Sequence, residues 1–219
     1  RCARGLASCA AASAGARPVR CAQAVNVRAA AARRACDVRA APSAMRRLLR
    51  HPFLEGWFAD FARQPDGPAL DHLAGLTTAA AILGGLDIEL TAPNTSERLL
   101  PMLGPRVDLD GSPVVMDAVD PYRDRFAVPP LDRVPPGFAA AIQGGWRLLA
   151  ADLPGHAAEI RTALAAVVPL RPPADGSQIS ASARGSFGAI GLSPVADTEV
   201  VAELLMHESR HDVLGAVLD

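Results

Sequence analysis

The segment HESRH, residues 207–211, is where residue type and spacing point most directly to chemistry. His207 and His211 are four positions apart, which on an α-helix brings two imidazoles one turn apart on the same side. Two imidazoles so placed can share one divalent transition-metal ion. Glu208 lies a little further round the helix, within reach of the ion or of what it binds. With zinc, the pattern gives a hydrolase in which Glu208 takes the proton of a zinc-activated water. With iron(II) and α-ketoglutarate, the same histidines give an oxygenase, and Glu208 is not needed as a base. Spacing alone leaves both readings open, and either requires a third ligand.

The helix that carries the motif has to present both rings together. Val200, Leu204, His207, His211, Leu214 and Leu218 recur at alternating spacings of four and three, one amphipathic stripe. Both histidines are therefore expected to face the interior with the apolar residues. Burying two imidazoles costs free energy unless their nitrogens find partners, and a shared metal supplies both. Asp197 or Thr198 is the expected N-cap. No stop signal follows before Asp219, so the domain is expected to be truncated, with its third ligand beyond that residue. His51, His72 and His156 lie upstream on helical patterns and are expected at the surface or in packing. Asp120 and Arg123 are expected to cap or bridge within a loop.

The remaining elements follow from periodicity and punctuation. Met45, Leu48, Leu49, Phe53, Trp57, Phe58 and Phe61 stand at helical spacings, with Pro52 dividing the stretch. Residues 68–85 read as a second helix ended by Gly84-Gly85. Leu86–Thr91 alternates as a strand, and short strands are expected around Arg98–Val107 and Pro113–Met116, with a turn at Asp110-Gly111. Phe138–Val168 is the longest helical pattern, expected as two helices because Gly144-Gly145 and Pro154-Gly155 interrupt it. Ser177–Ser182 and Phe187–Leu192 read as strands around Arg184-Gly185, and the second is expected to hold an extended peptide at its edge. The fold class expected is α+β: a mostly helical N-terminal half, short antiparallel strands and a metal-binding helix at the C-terminus.

Half of the 219 residues are hydrophobic, enough to build the core of one domain. The net charge of -1 hides a split. Residues 1–50 hold 11 Arg and one acid, Asp37, whereas residues 51–219 hold 11 Arg and 22 acids. Residues 1–43 are Ala/Arg-rich and are expected as a disordered tail or linker, with residues 44–219 as the domain. A solvated tail is a better reading of that basic arm than a nucleic-acid contact. Its four cysteines, Cys2, Cys9, Cys21 and Cys36, match no common zinc spacing. The domain itself has none, which suits a reducing cytoplasm. No apolar run reaches the roughly 18–20 residues of a membrane span.

Six blocks carry a resemblance: LLRHPFLEGWF (48–58), DHLAGLTTAAAILGGLDIEL (71–90), DPYRD (120–124), TALAAVVPL (162–170), SASARGSFGAIGLS (180–193) and LLMHESRHDVLGAVLD (204–219). In order and spacing they resemble the HExxH-motif domain of bacterial α-ketoglutarate-dependent peptide β-hydroxylases. That domain occurs alone or fused behind radical-SAM maturases in clusters for ribosomally made, modified peptides. The resemblance implies an iron(II) centre on His207 and His211, α-ketoglutarate as cosubstrate, and a precursor peptide hydroxylated at a β-carbon. A radical-SAM maturase is an implied partner; neither nucleic acid nor membrane is. The family often has Phe-Gln between the Glu and the second His where this chain has Ser209-Arg210, positions that do not ligate. Its remaining metal ligand comes from further along the domain. Ser182 and Arg184 stand where they would shape a pocket, and Arg184 could pair with a cosubstrate carboxylate. The alternatives are an HExxH zinc metallopeptidase, with Glu208 as the catalytic base, or a non-catalytic peptide-binding module.

Overall fold

Pro52 lacks an amide proton and stops the first helix, and the carbonyl of His51 restarts the chain by accepting from Leu54 N at 3.1 Å. The computed structural model describes residues 42–64, 69–83 and 104–218. The expectations for residues 1–41 with their four cysteines, for the strand Leu86–Thr91, and for the start of the strand near Arg98 lie outside them. Three helices come first: α1 (Pro42–Leu49), α2 (Leu54–Arg63) and α3 (Ala69–Leu83). Leu48, Trp57 and Leu76 bury between them, and Trp57 stacks on Phe61 with ring centroids 5.2 Å apart. Leu49 and Phe58, at helical spacings with these residues, are exposed.

The sheet begins with a hairpin of β1 (Arg106–Leu109) and β2 (Ser112–Met116). Its turn, Asp110-Gly111, has positive φ at both residues (51° and 88°), the twist that suits a two-residue hairpin. The Asp108 carboxylate accepts from Gly111 N at 2.7 Å and fixes it. A 3-10 turn (Pro121–Arg125) follows, then α4 (Phe138–Asp152), α5 (Pro154–Ala163), β3 (Ala166–Pro169), β4 (Ser180–Ser182), β5 (Ala189–Leu192) and α6 (Thr198–Leu218).

The α+β class holds, but the strands are not all antiparallel. The order is β1-β2-β3-β5-β4, with β2–β3 and β3–β5 parallel and the two outer pairs antiparallel. The unexpected strand is β3, read in the sequence as the tail of a helix. All four of its residues are buried, because it lies mid-sheet and is covered on both faces. The break between α4 and α5 falls at Pro154, while α4 runs unbroken through Gly144-Gly145.

The two faces of β3 and β5 feed different cores. Val167, Ile190 and Leu192 meet Ile142, Trp146, Val201 and Leu205 of α4 and α6. Ala166, Val168 and Ala189 meet Phe53 and Phe126 on the other side. Leu170 lies over Gly191, where an added Cβ would stand 2.7 Å from its Cδ1. Strand β5, expected to offer an edge, has both edges paired, and among the described residues β4 is the edge strand on that side.

Candidate metal centre

Asp197 caps α6, accepting from Glu199 N at 2.9 Å, so the motif lies on a regular helix as expected. The buried face is different from the one expected. Val201, Leu205, Glu208 and Asp212 are buried, whereas Leu214 and both motif histidines are exposed. The interior stripe is thus shifted by one residue, about 100° round the helix. Two contacts hold this rotation. Ser180 Oγ donates to Glu208 Oε1 at 2.6 Å, and Gly188 N donates to Asp212 Oδ2 at 2.7 Å. Glu208 and Asp212 enter the interior because each has a donor waiting there. Burial, opposed by the Gly188 hydrogen bond and helped by the charge of Glu208, raises Asp212 to about 6.

The histidines remain together at the rim of the helix. His207 Nε2 and His211 Nε2 are 3.1 Å apart, with ring centroids 4.5 Å apart. Two nitrogens on one ion through bonds of about 2.0–2.1 Å stand about 2.8–3.4 Å apart, so the pair fits a shared divalent cation. It fits equally a hydrogen bond between the rings. Glu208 Oε1 lies 3.9 Å from His207 Nε2, beside the pair but anchored inward by Ser180. Imidazole donors of this kind suit zinc and iron alike.

The other expected residues are accounted for. Ser182 is half-buried in β4, and Arg184 is exposed on the β4–β5 connection. His156 is a surface residue that accepts from Arg210, whose guanidinium also pairs with Glu159 at 3.1 Å. Asp120 caps the 3-10 turn through Tyr122 N at 2.8 Å, and Arg123 binds the Asp120 carbonyl and Asp132, as expected of a structured loop.

Sequence reasoning missed what His51 and His72 do. Both are buried, and each directs Nε2 to within 3.4 Å of Asp120 Oδ2. Asp117 joins them, its Oδ1 accepting from Val119 N and Asp120 N at 2.9 Å. Burial favours the neutral form of every member. Desolvation, with His72 alongside, lowers His51 to about 3, and desolvation lowers His72 to about 4. Desolvation raises Asp117 to about 6 against two backbone hydrogen bonds and the Arg123 charge. Desolvation and the neighbouring Asp117 carry Asp120 well above the carboxylate range.

The sign of the resulting pH dependence follows from proton counting. An acid whose folded pKa is raised binds more protons folded than unfolded. It therefore loses stability as pH climbs from its unfolded value through its folded one. With chelator present, Asp120→Asn is expected to gain stability relative to the natural chain steadily as pH climbs above the ordinary carboxylate value of about 4. Urea midpoints across that range check this, and a difference that does not change with pH would sink the assignment.

No protein-family model matches the chain, and no curated protein matches it at a significant level.

Proposed function

We propose that the chain is a metal-dependent peptide-modifying enzyme that uses iron(II) and α-ketoglutarate to hydroxylate a β-carbon of a ribosomally made precursor peptide. The observation that supports it is the 3.1 Å approach of His207 Nε2 and His211 Nε2 on one helix. The resemblance of the six sequence blocks points to iron and to a peptide substrate, with a radical-SAM maturase as partner. Iron(II) with the cosubstrate would supply the dioxygen chemistry. His207 and His211 would hold it, with ligands from elsewhere completing its coordination. Glu208, pinned by Ser180, stiffens the helix beneath the pair. The same Ser180 belongs to β4, whose outer edge offers backbone groups to an extended peptide. Among the described residues no helix is long and apolar enough to cross a membrane.

One observation favours the zinc metallopeptidase reading instead. Glu208 Oε1 lies 3.9 Å from His207 Nε2, near where a base for a metal-activated water would stand.

The test is anaerobic reconstitution of the full-length protein with iron(II), then dioxygen, α-ketoglutarate and precursor peptides encoded beside its gene. The expected result is an iron ion whose binding depends on His207 and His211, with succinate release matched by a gain of one oxygen in the peptide. His207→Ala and His211→Ala should each lower turnover by about 100-fold or more, the scale of losing a group that touches the reacting centre. Peptide cleavage with zinc, abolished by Glu208→Gln, would replace hydroxylation with proteolysis. Absence of metal at the histidine pair would overturn both.

A further inference from the structure

We propose that His51, Asp117 and Asp120, with His72 beside them, form a second, buried binding site for a divalent transition-metal ion, independent of the HESRH pair. Four separate pieces of chain meet there: the α1–α2 junction, α3, the residue after β2, and the cap of the 3-10 turn. The ligand atoms of His51, Asp117 and Asp120 all lie within 4.8 Å of one another. His72 Nε2 stands 3.4 Å from Asp120 Oδ2 but outside that set of mutually close ligand atoms.

Backbone amides fix the carboxylates in place. The Oδ1 atoms of Asp117 and Asp120 accept from Val119 N, Asp120 N and Tyr122 N. Asp120 Oδ2 is left facing the two imidazoles. Asp120 is fully buried, yet this oxygen accepts no hydrogen bond, and neither does His72 Nε2 have a hydrogen-bond partner. Buried polar atoms without partners are rare in folded proteins. Arg123 does not relieve them: its Nη1 and Nη2 go to the Asp120 carbonyl and to Asp132, and its buried Nε has no hydrogen-bond partner. The two 3.4 Å contacts to Asp120 Oδ2 do not make hydrogen bonds. The separation of His51 Nε2 and Asp120 Oδ2 matches the spacing of neighbouring ligands around one tetrahedral ion with bonds of about 2.0–2.1 Å. One imidazole nitrogen and two carboxylate oxygens suit zinc, iron(II) or manganese(II). Three protein donors leave one position of a tetrahedral ion for a further ligand, and zinc is a suitable probe.

His51 and Asp117 also line a cleft of about 830 Å³ bounded by α1, the β1–β2 hairpin and the α5–β3 connection, which gives an ion a way in. The cluster lies beside Phe53 and Tyr122, on the sheet face opposite α6. Phe53 N faces His51 Nδ1 at 3.4 Å, the long end of hydrogen bonding. Ligation through Nε2 moves the imidazole proton to Nδ1 and opens that contact, so the Phe53 amide reports loading.

The experiment uses the whole chain with Cys2, Cys9, Cys21 and Cys36 blocked by alkylation and His207 and His211 both replaced by Ala. Titration with zinc is expected to show one site per chain and to raise the thermal midpoint. Asp120→Asn or His51→Ala in that background should weaken zinc binding at least about 100-fold. Cobalt(II) should give the intense visible absorption of a tetrahedral site, lost in either variant. Asn keeps the Oδ1 acceptor for Tyr122 N, and the unloaded variant's circular dichroism checks that it folds. Failure of the alkylated double variant to bind zinc would overturn the proposal, as would binding that survives both substitutions unchanged. Neither result depends on the chemistry at His207 and His211.

Discussion

Leu205→Ala is expected to cost the protein about 2–5 kcal/mol, whereas Leu214→Ala should change its stability by less than about 0.5 kcal/mol. Both residues are leucines on α6, and Leu214 belongs to the stripe that the sequence pattern assigns to the interior. Leu205 is fully buried against Ile142, Trp146 and Ile190, while Leu214 is 55% exposed. Truncating Leu205 removes contacts and leaves a cavity that a close-packed sheet-and-helix layer fills only in part. Truncating Leu214 removes groups that already meet water. Chemical denaturation of the two variants measures the rotation of the helix directly. Equal losses would mean that α6 sits differently and that the histidines are not at its rim.

The second large effect is expected at Gly145. A Cβ there would stand 2.5 Å from Val201 Cγ1 and 2.9 Å from Ala202 N. The first contact can be eased by a rotamer change in Val201; the second is to the backbone of α6 and cannot. Gly145→Ala therefore forces α4 and α6 apart, at a net cost of about 1–3 kcal/mol despite the better helix propensity of Ala. Gly155→Ala is the control. Nothing lies within 4 Å of its added Cβ, so it should be neutral or stabilising by about 0.4–1 kcal/mol. Because α4 sets the seat of α6, Gly145→Ala is also expected to weaken the Glu208–Ser180 contact, readable in the hydrogen exchange of β4. If Gly145→Ala proved as mild as Gly155→Ala, the close crossing would be wrong.

These two sites mark where the sequence could be read and where it could not. The motif and its helix are local, as is the Asp197 cap, and four-residue spacing reveals all three. The buried face of α6 is not local. Val200 and Leu204 make as good an apolar stripe as Val201 and Leu205. The choice is made by Gly144-Gly145, Ser180 and Gly188, which come from other parts of the chain. Likewise AVVP continues the apolar run of TALAAVVPL, and a strand buried on both faces has no alternation to betray it. The parallel pairings were hidden with it, since they all pass through β3. His51 and His72 stand alone in sequence, each on a helical pattern. Only the tertiary fold turns two isolated histidines and a pair of loop aspartates into one cluster.

The central position of β3 has a consequence for how the chain acquires its structure. In the register of the sheet, Met116 pairs with Val167 and Val167 with Ile190. The first of these pairings closes a long stretch of chain containing both α4 and α5, and loop closure comes before any strand–strand gain. Helices α1 to α6 can form from near neighbours, but the sheet that seats them needs partners distant along the chain. A fold with such a high contact order is slower than a helical bundle of equal size. Ser180 and Gly188, the donors that orient α6, come into position only when that non-local sheet has closed. The spatial setting of His207 and His211 is thus expected to come late in folding, even though their spacing is written in five consecutive residues.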